Sequence, residues 1–365
     1  MAKKRILIAA GGTGGHVYPA IAIADALKAA DPETEIMFVG TRDHMEWEAV
    51  PKAGYEICNV WISGFHRRLT LKNLLFPIKL ITSVFQSFGI IRNFKPQVMV
   101  SCGGYVAGPV GWVASKTGVK VVIQEQNSFP GVTNRMLAKS AKKIFTAFKE
   151  AENYLPADKI TLTGNPTRGT LAQVSKEEGQ NSFTFELFKP TLLIMGGSGG
   201  AKTINDAVRK NLDVLHDNAG LQIIWQCGSR YYDALAEEIE TEDYPNLRLM
   251  AFIHNMPEAY AAADLVVSRA GASSCSEFMI LGKPSVLIPS PNVAGDHQTQ
   301  NARSMAEAGA SELLPDKDAV DALPELVTRL ISDQEKLQKM NIAAQSLAKP
   351  NAAQVIANEI LELAN

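Results

Sequence analysis

Residues 11–16, Gly-Gly-Thr-Gly-Gly-His, hold the first concentration of chemistry in the chain. An apolar run, RILIAA, feeds the glycines, and a helical pattern follows them. Glycine lets the main chain approach a ligand closely, and a helix start aims N–H groups at negative charge. A dinucleotide fingerprint requires G-x-G-x-x-G and an acidic residue about 20 positions on. Gly12 and Gly14 fit, but the third position is Val17 and the second strand ends VGTR, with no acid at its tip. What remains is a backbone-lined loop for an anion or a sugar, or a structural turn. His16 closes the loop. It is either a packed or capping residue or a general base, because its pKa lies near working pH.

The loop MGGSGGAK repeats the pattern further along, with Ser198, Gly199 and Gly200 suited to hold a pyrophosphate. It is not a Walker loop, since GxxxxGK[ST] is absent. Arg168, in GNPTR, is a linker charge or a phosphate neutraliser. In SRAGASSCSEF, small residues including Ala272 and Ser273 lead into a helix bearing Glu277. That carboxylate suits two ribose hydroxyls, or is an ordinary helix glutamate. SPNVAGDHQTQNA supplies Gln298, Gln300 and Asn301, donors and acceptors suited to sugar hydroxyls. SCGGYVAGP places Gly103, Gly104 and Tyr105 after a strand, and QEQN places Glu125 and Asn127 after another. The six histidines show no metal-ligand spacing, and the pair Asp316 and Asp318 reads as a solvated turn, so no metal or cofactor is expected.

These loops need a scaffold that gathers strand ends. Short apolar runs alternate with helical patterns: RILIAA, EIMFVG, EICNVW, VMVSCGG, VVIQEQ and KIFTAF, then TLLIMGG, LQIIWQC, LRLMAFI, LVVSRAG and SVLIPS. Continuous apolar strands between helices imply right-handed βαβ units and parallel, doubly wound sheets, so the fold class is α/β. The two halves begin alike, and apolar periodicity is lost between Gly164 and Lys189. We therefore expect a domain over 1–165, a second over 166–340, and a helical tail over 341–365; packing of that tail back on the first domain is one arrangement open to it, which the sequence itself does not show.

At 46% hydrophobic and 20% charged residues, both halves can bury a core. A net charge of −2 gives no average signal for nucleic acid. Cys58, Cys102, Cys227 and Cys275 show no paired spacing, which suits a reducing compartment. The N-terminal apolar run is too short for a signal h-region, and no run is long enough for a spanning helix. One segment differs: FHRRLTLKNLLFPIKLITSVFQSFGIIRNFKP is strongly apolar, with Lys72 and Lys79 inside it and His66, Arg67, Arg68, Arg92 and Lys95 around it. It is a packed helix that Pro77 starts or kinks, or a patch that lies on anionic lipid without crossing it.

The ordered set GGTGGHVYPA, SCGGYVAGP, QEQN, GNPTR, GGSGGA, RAGASSCSE and DHQTQNA resembles the peripheral-membrane N-acetylglucosaminyltransferases of peptidoglycan synthesis, the MurG type, over essentially the whole length. The resemblance implies a GT-B architecture of two Rossmann-like domains facing a cleft, on the cytoplasmic face of the cell membrane. It implies inverting, metal-independent transfer of GlcNAc from UDP-GlcNAc to the MurNAc 4-hydroxyl of undecaprenyl-pyrophosphoryl-MurNAc-pentapeptide (lipid I), giving lipid II. The acceptor would sit on the first domain and the nucleotide on the second, with cell-wall synthesis proteins as further partners. Residue by residue, the resemblance makes His16 the base, with Glu125 as the alternative. It gives the donor Thr13, Gly14, Gly15, Asn127, Arg168, Ser198, Gly199, Ile253, Ala272, Ser273, Glu277 and Gln298 or Gln300. It gives the acceptor's pyrophosphate Gly12, Gly103, Gly104 and Tyr105. Rivals are a sugar-nucleotide 2-epimerase, a diacylglycerol glycosyltransferase, a nicotinamide oxidoreductase and a non-catalytic binding protein.

Overall fold

The computed structural model describes residues 3–64, 75–167, 173–197, 199–217, 220–293 and 296–365. The chain divides into two compact units, Met1–Thr167 with Lys349–Asn365, and Arg168–Ala348.

In the first unit the described elements are β1 (Arg5–Ala9), α1 (Gly14–Ala30), β2 (Glu35–Gly40), α2 (Glu46–Lys52), β3 (Glu56–Asn59), α3 (Phe76–Phe94), β4 (Val98–Ser101), α4 (Ala107–Lys116), β5 (Lys120–Glu125), α5 (Val132–Leu137), β6 (Lys143–Thr146) and β7 (Ile160–Leu162). The strands form one parallel sheet in the order β3-β2-β1-β4-β5-β6-β7. Ile6 and Ile8 face α1, while Leu7 and Ala9 face α3 and α4, so both faces are buried. That burial is why these strands read as unbroken apolar runs.

The second unit runs α6 (Lys176–Ser182), β8 (Thr191–Met195), α7 (Lys202–Lys210), α8 (Leu212–His216), β9 (Gln222–Gln226), α9 (Ser229–Glu238), β10 (Leu247–Met250), α10 (Met256–Ala262), β11 (Leu265–Ser268), α11 (Ala272–Leu281), β12 (Ser285–Leu287), α12 (His297–Glu307), β13 (Ser311–Leu313), α13 (Ala319–Ser332) and α14 (Gln334–Leu347). Its parallel sheet has the order β10-β9-β8-β11-β12-β13. The last helix, α15 (Ala352–Leu363), lays Ile356, Ala357 and Ile360 into the first unit's core beside α1. The second division falls at 348 rather than 340, because α14 packs on α11 and stays with the second unit.

The two sheets share one topology. In each, the chain starts in the middle, winds outward through two strands and returns to the other side of the first. The reversal point lies between β1 and β4 in one unit and between β8 and β11 in the other. Loops leaving the carboxyl ends of strands at such a point form the ligand crevice of an open α/β sheet.

Candidate functional site

At the first reversal point the loops after β1 and β4 pack backbone on backbone. Gly104 has φ +82°, and a Cβ there would stand 2.3 Å from the Gly11 carbonyl oxygen. Gly103, at φ +92°, takes the His16 ring on its bare Cα: a Cβ would lie 2.7 Å from Cδ2 and 3.0 Å from Nε2. His16 is the third residue of α1. Thr13 occupies the N-cap, but its hydroxyl makes no main-chain cap and instead shares a 3.1 Å hydrogen bond with His16 Nδ1. If Nδ1 carries the proton, the basic lone pair is on Nε2, the edge beside Gly103. Gly14 and Gly15 are the first helical residues, whose N–H groups have no intrahelical acceptor. Tyr105, 56% exposed, lays its ring end over Gly64. The structure thus gathers Gly12 to His16, Gly103 and Gly104.

Two expectations change here. The Gly12 N–H does not face a ligand, because it donates inward to Glu46 Oε2 at 3.1 Å. Glu125 is not placed as a base. It is 1% exposed, and its oxygens accept from the Asn127 N–H (3.0 Å), Asn127 Nδ2 (3.3 Å), the Gly131 N–H (3.0 Å) and Asn134 Nδ2 (2.8 Å). Burial pushes its pKa up while these donors pull the other way. Such a carboxylate anchors the turn after β5 and holds Asn127 in place. Behind it, Asn134 Oδ1 accepts from the Ser101 hydroxyl at 2.9 Å, tying the turn to the end of β4.

At the second reversal point a cavity of about 410 Å³ opens, lined by Gly197, Gly200, Arg269, Ser274, Gln298 and Asp316 among others. Gln298 Oε1 accepts from the Ser290 N–H at 2.9 Å, which fixes its side chain at the rim. Gln300, two residues on along α12, is outside this lining, as are Ile253 and Glu277. Gly271 and Ser274 flank Ala272 and Ser273 and belong to the lining, and the buried Ser273 hydroxyl has no hydrogen-bond partner among the described residues. Ile253 is 2% exposed in the loop after β10. Arg168 and Ser198 lie outside the described residues; Gly199 follows in the same loop.

Three side chains carry more of these sites than their sequence context announced. The Tyr260 hydroxyl donates to Glu277 Oε2 at 2.6 Å from a buried position, and its own pKa is pushed far up by that burial and by the carboxylate. Arg269 donates to the Ile288 and Pro289 carbonyls at 3.1 and 3.2 Å and pairs with Asp316. Asp316 also accepts from the Thr203 hydroxyl at 3.1 Å, so it is a brace between loops rather than part of a solvated turn. Glu46 is the third. Tyr260 and Arg269 sit inside apolar or motif-like runs that give no separate signal, and Glu46 lies six residues past the β2 tip.

The helix α3 is amphipathic with its apolar face outward. Ser83, Ser87 and Ile91 are buried, while Ile78, Ile81, Phe85 and Phe88, spaced three and four apart, are exposed. Phe85 is 71% exposed, and Trp112 of α4, the helix α3 packs against, is also exposed. Pro77 stands in the first turn of α3, where its missing N–H is harmless. Lys79 and Arg92 belong to the helix; His66, Arg67, Arg68 and Lys72 fall outside the described residues. No described helix is long and apolar enough to cross a membrane.

Residues 6–146 match the N-terminal domain of glycosyltransferase family 28, and residues 191–356 match its C-terminal domain. The chain belongs to glycosyltransferase family 28. The division of the family's two domains follows the two sheets, and each matched segment contains the loops at its own reversal point. A family member from Flavobacterium psychrophilum, named UDP-N-acetylglucosamine--N-acetylmuramyl-(pentapeptide) pyrophosphoryl-undecaprenol N-acetylglucosamine transferase, is 44% identical over 100% of this chain and 98% of its own. The crystal structure of Acinetobacter baumannii MurG superposes with a TM-score of 0.75 at 30% identity, covering 99% of this chain and 100% of that one. UDP-GlcNAc 2-epimerase from Neisseria meningitidis shares the fold, with a TM-score of 0.69 at 14% identity over 98% of this chain and 100% of its own.

Proposed function

We propose that this glycosyltransferase moves GlcNAc from UDP-GlcNAc to the 4-hydroxyl of MurNAc in undecaprenyl-pyrophosphoryl-MurNAc-pentapeptide, with inversion, to give lipid II. The observation that carries this reading is 44% identity, end to end, with an enzyme so named. The 2-epimerase shares the fold at 14% identity, which speaks for architecture alone.

His16 takes the proton from the acceptor hydroxyl as that oxygen attacks the anomeric carbon, and Thr13 holds the ring in the productive tautomer. The glycine loop before α1, with Gly103, Gly104 and Tyr105, receives the acceptor's pyrophosphate, while Thr13, Gly14, Gly15 and Asn127, the last held in position by Glu125, also serve the donor. In the second unit the UDP diphosphate leaves against the amides around Gly199 and the start of α11, which stabilise its growing charge. Arg168 and Ser198 add to that role. Glu277 receives the ribose, Ile253 the uracil through its main chain, and Gln298 the GlcNAc hydroxyls. Gln298 is preferred to Gln300 because it alone of the two lines the cavity. The reaction needs no divalent metal. Acceptor-dependent release of UDP from UDP-GlcNAc, unaffected by EDTA, tests the reading.

The outward face of α3 seats the enzyme on the cytoplasmic face of the membrane, where the lipid acceptor lies, with Lys79 and Arg92 drawn to anionic headgroups. Co-sedimentation with phosphatidylglycerol vesicles checks this: Phe85→Ser with Ile81→Ser should weaken binding by at least tenfold, because the loss of just two buried CH₂ groups at ~0.8 kcal/mol each already reaches that. Undiminished binding by that double variant would refute the placement.

A further inference from the structure

The β1 loop rests on a buried charge. Glu46, the first residue of α2, is 0% exposed. Its Oε2 accepts from the Gly12 N–H at 3.1 Å, and its Oε1 accepts from the Thr41 N–H at 3.0 Å and the Thr41 hydroxyl at 2.7 Å. Two glycines make room for it. A Cβ on Gly11 would stand 2.8 Å from Oε1, and a Cβ on Gly40 would stand 2.7 Å from Cγ. A carboxylate out of water persists only where donors satisfy it, and here three donors from two loops do so. One of the three belongs to the residue just before Thr13, the N-cap that bonds the His16 ring.

Resting on the transferase reading above, we infer that Glu46 is a positioning residue for His16. It holds the Gly12 amide inward, and that sets the path of the chain through Thr13 into α1. The direction of the Gly12 N–H decides which way the loop's next amides and the His16 ring face. Glu46 touches neither substrate; it acts through Gly12 and Thr13. Geometry supports this over a general core role, because both its oxygens serve loops at strand ends: Gly12 follows β1 and Thr41 follows β2.

The test is Glu46→Gln in the full chain. Glutamine keeps the shape but replaces one acceptor oxygen with an amide donor, which faces either Gly12 N–H or the Thr41 pair. Expected is a fall in kcat of at least tenfold with the KM for UDP-GlcNAc within twofold, per molecule that binds UDP in calorimetry. Gly11→Ala should reproduce the split, since its Cβ pushes the carboxylate aside while leaving Glu46 in the chain. Hydrogen exchange at the Gly12 amide should accelerate in both variants. Normal turnover per UDP-binding molecule in either variant, or loss of donor affinity in step with kcat, would overturn the inference. Wild-type protein without acceptor-dependent UDP release would instead sink the transferase reading. The Gly12 exchange rate would still decide whether Glu46 holds the loop.

Discussion

The two glycine loops occupy equivalent places in equivalent sheets, yet they are held differently. The loop after β1 is tied by a charge, Glu46, and by a side-chain bond from Thr13 to His16. The loop after β8 is tied by main chain: a Cβ on Gly200, at φ +72°, would stand 1.9 Å from the Cys227 carbonyl oxygen. That carbonyl also accepts from Asn205 Nδ2 at 2.9 Å, and the Asn205 Oδ1 accepts from the buried Trp225 indole at 3.1 Å. The first arrangement orients an imidazole and suits a loop that handles a proton. The second closes on itself, the Gly200 N–H donating to the Gly197 carbonyl at 3.0 Å, and on the proposed function it is the loop that meets the diphosphate. On the proposed function, one topology would serve two chemistries through what braces the loop from behind.

The largest effect is expected at the imidazole. His16→Ala should cut turnover by about 10²- to 10⁴-fold, the usual worth of a positioned general base, and leave UDP affinity unchanged. Near-normal turnover would return the loop to a purely structural part. Next in size is the pair Gly104→Ala and Gly200→Ala. Each puts a Cβ at positive φ into a carbonyl oxygen of the neighbouring loop, at a cost on the order of 3 kcal/mol. Thermal unfolding should show each change in its own unit, with UDP binding lost only in the Gly200 variant. UDP binding lost equally in both would erase the distinction between the loops.

Glu125→Gln should destabilise the first unit by about 2 kcal/mol, because an amide cannot accept from all four donors. The pH–rate profile should keep its shape; loss of a limb would restore Glu125 as the base. Smallest is Tyr260→Phe. It removes the hydrogen bond to Glu277 Oε2 and should weaken UDP binding by about tenfold, or ~1.4 kcal/mol, in calorimetry. Equal affinity would mean that Glu277 needs no help to face a ribose.

Much of this architecture was legible in the chain. Strands buried on both faces leave unbroken apolar runs, and those runs recur as β1 to β6 and β8 to β12. The strands β7 and β13 escaped because each is three residues long, at a sheet edge, with Thr161 or Glu312 at its centre. The glycine loops were legible because close backbone approach selects glycine. What supports them was not: Glu46 bonds across 34 positions, Tyr260 across 17 and Arg269 across 47, and no local pattern records such distances. Glu125 misled for a related reason, since an acid past a strand tip looks the same whether it faces a substrate or a ring of donors. The reading of Asp316 as a solvated turn failed because its partner Arg269 lies in a motif chosen for its small residues.

The measurement that bears most directly on the account is UDP release from UDP-GlcNAc, with and without a short-chain lipid I analogue, in EDTA. Release is expected only with the acceptor, matched by one disaccharide product for each UDP. Release without the acceptor, with free ManNAc appearing alongside, would contradict it and make the enzyme an epimerase.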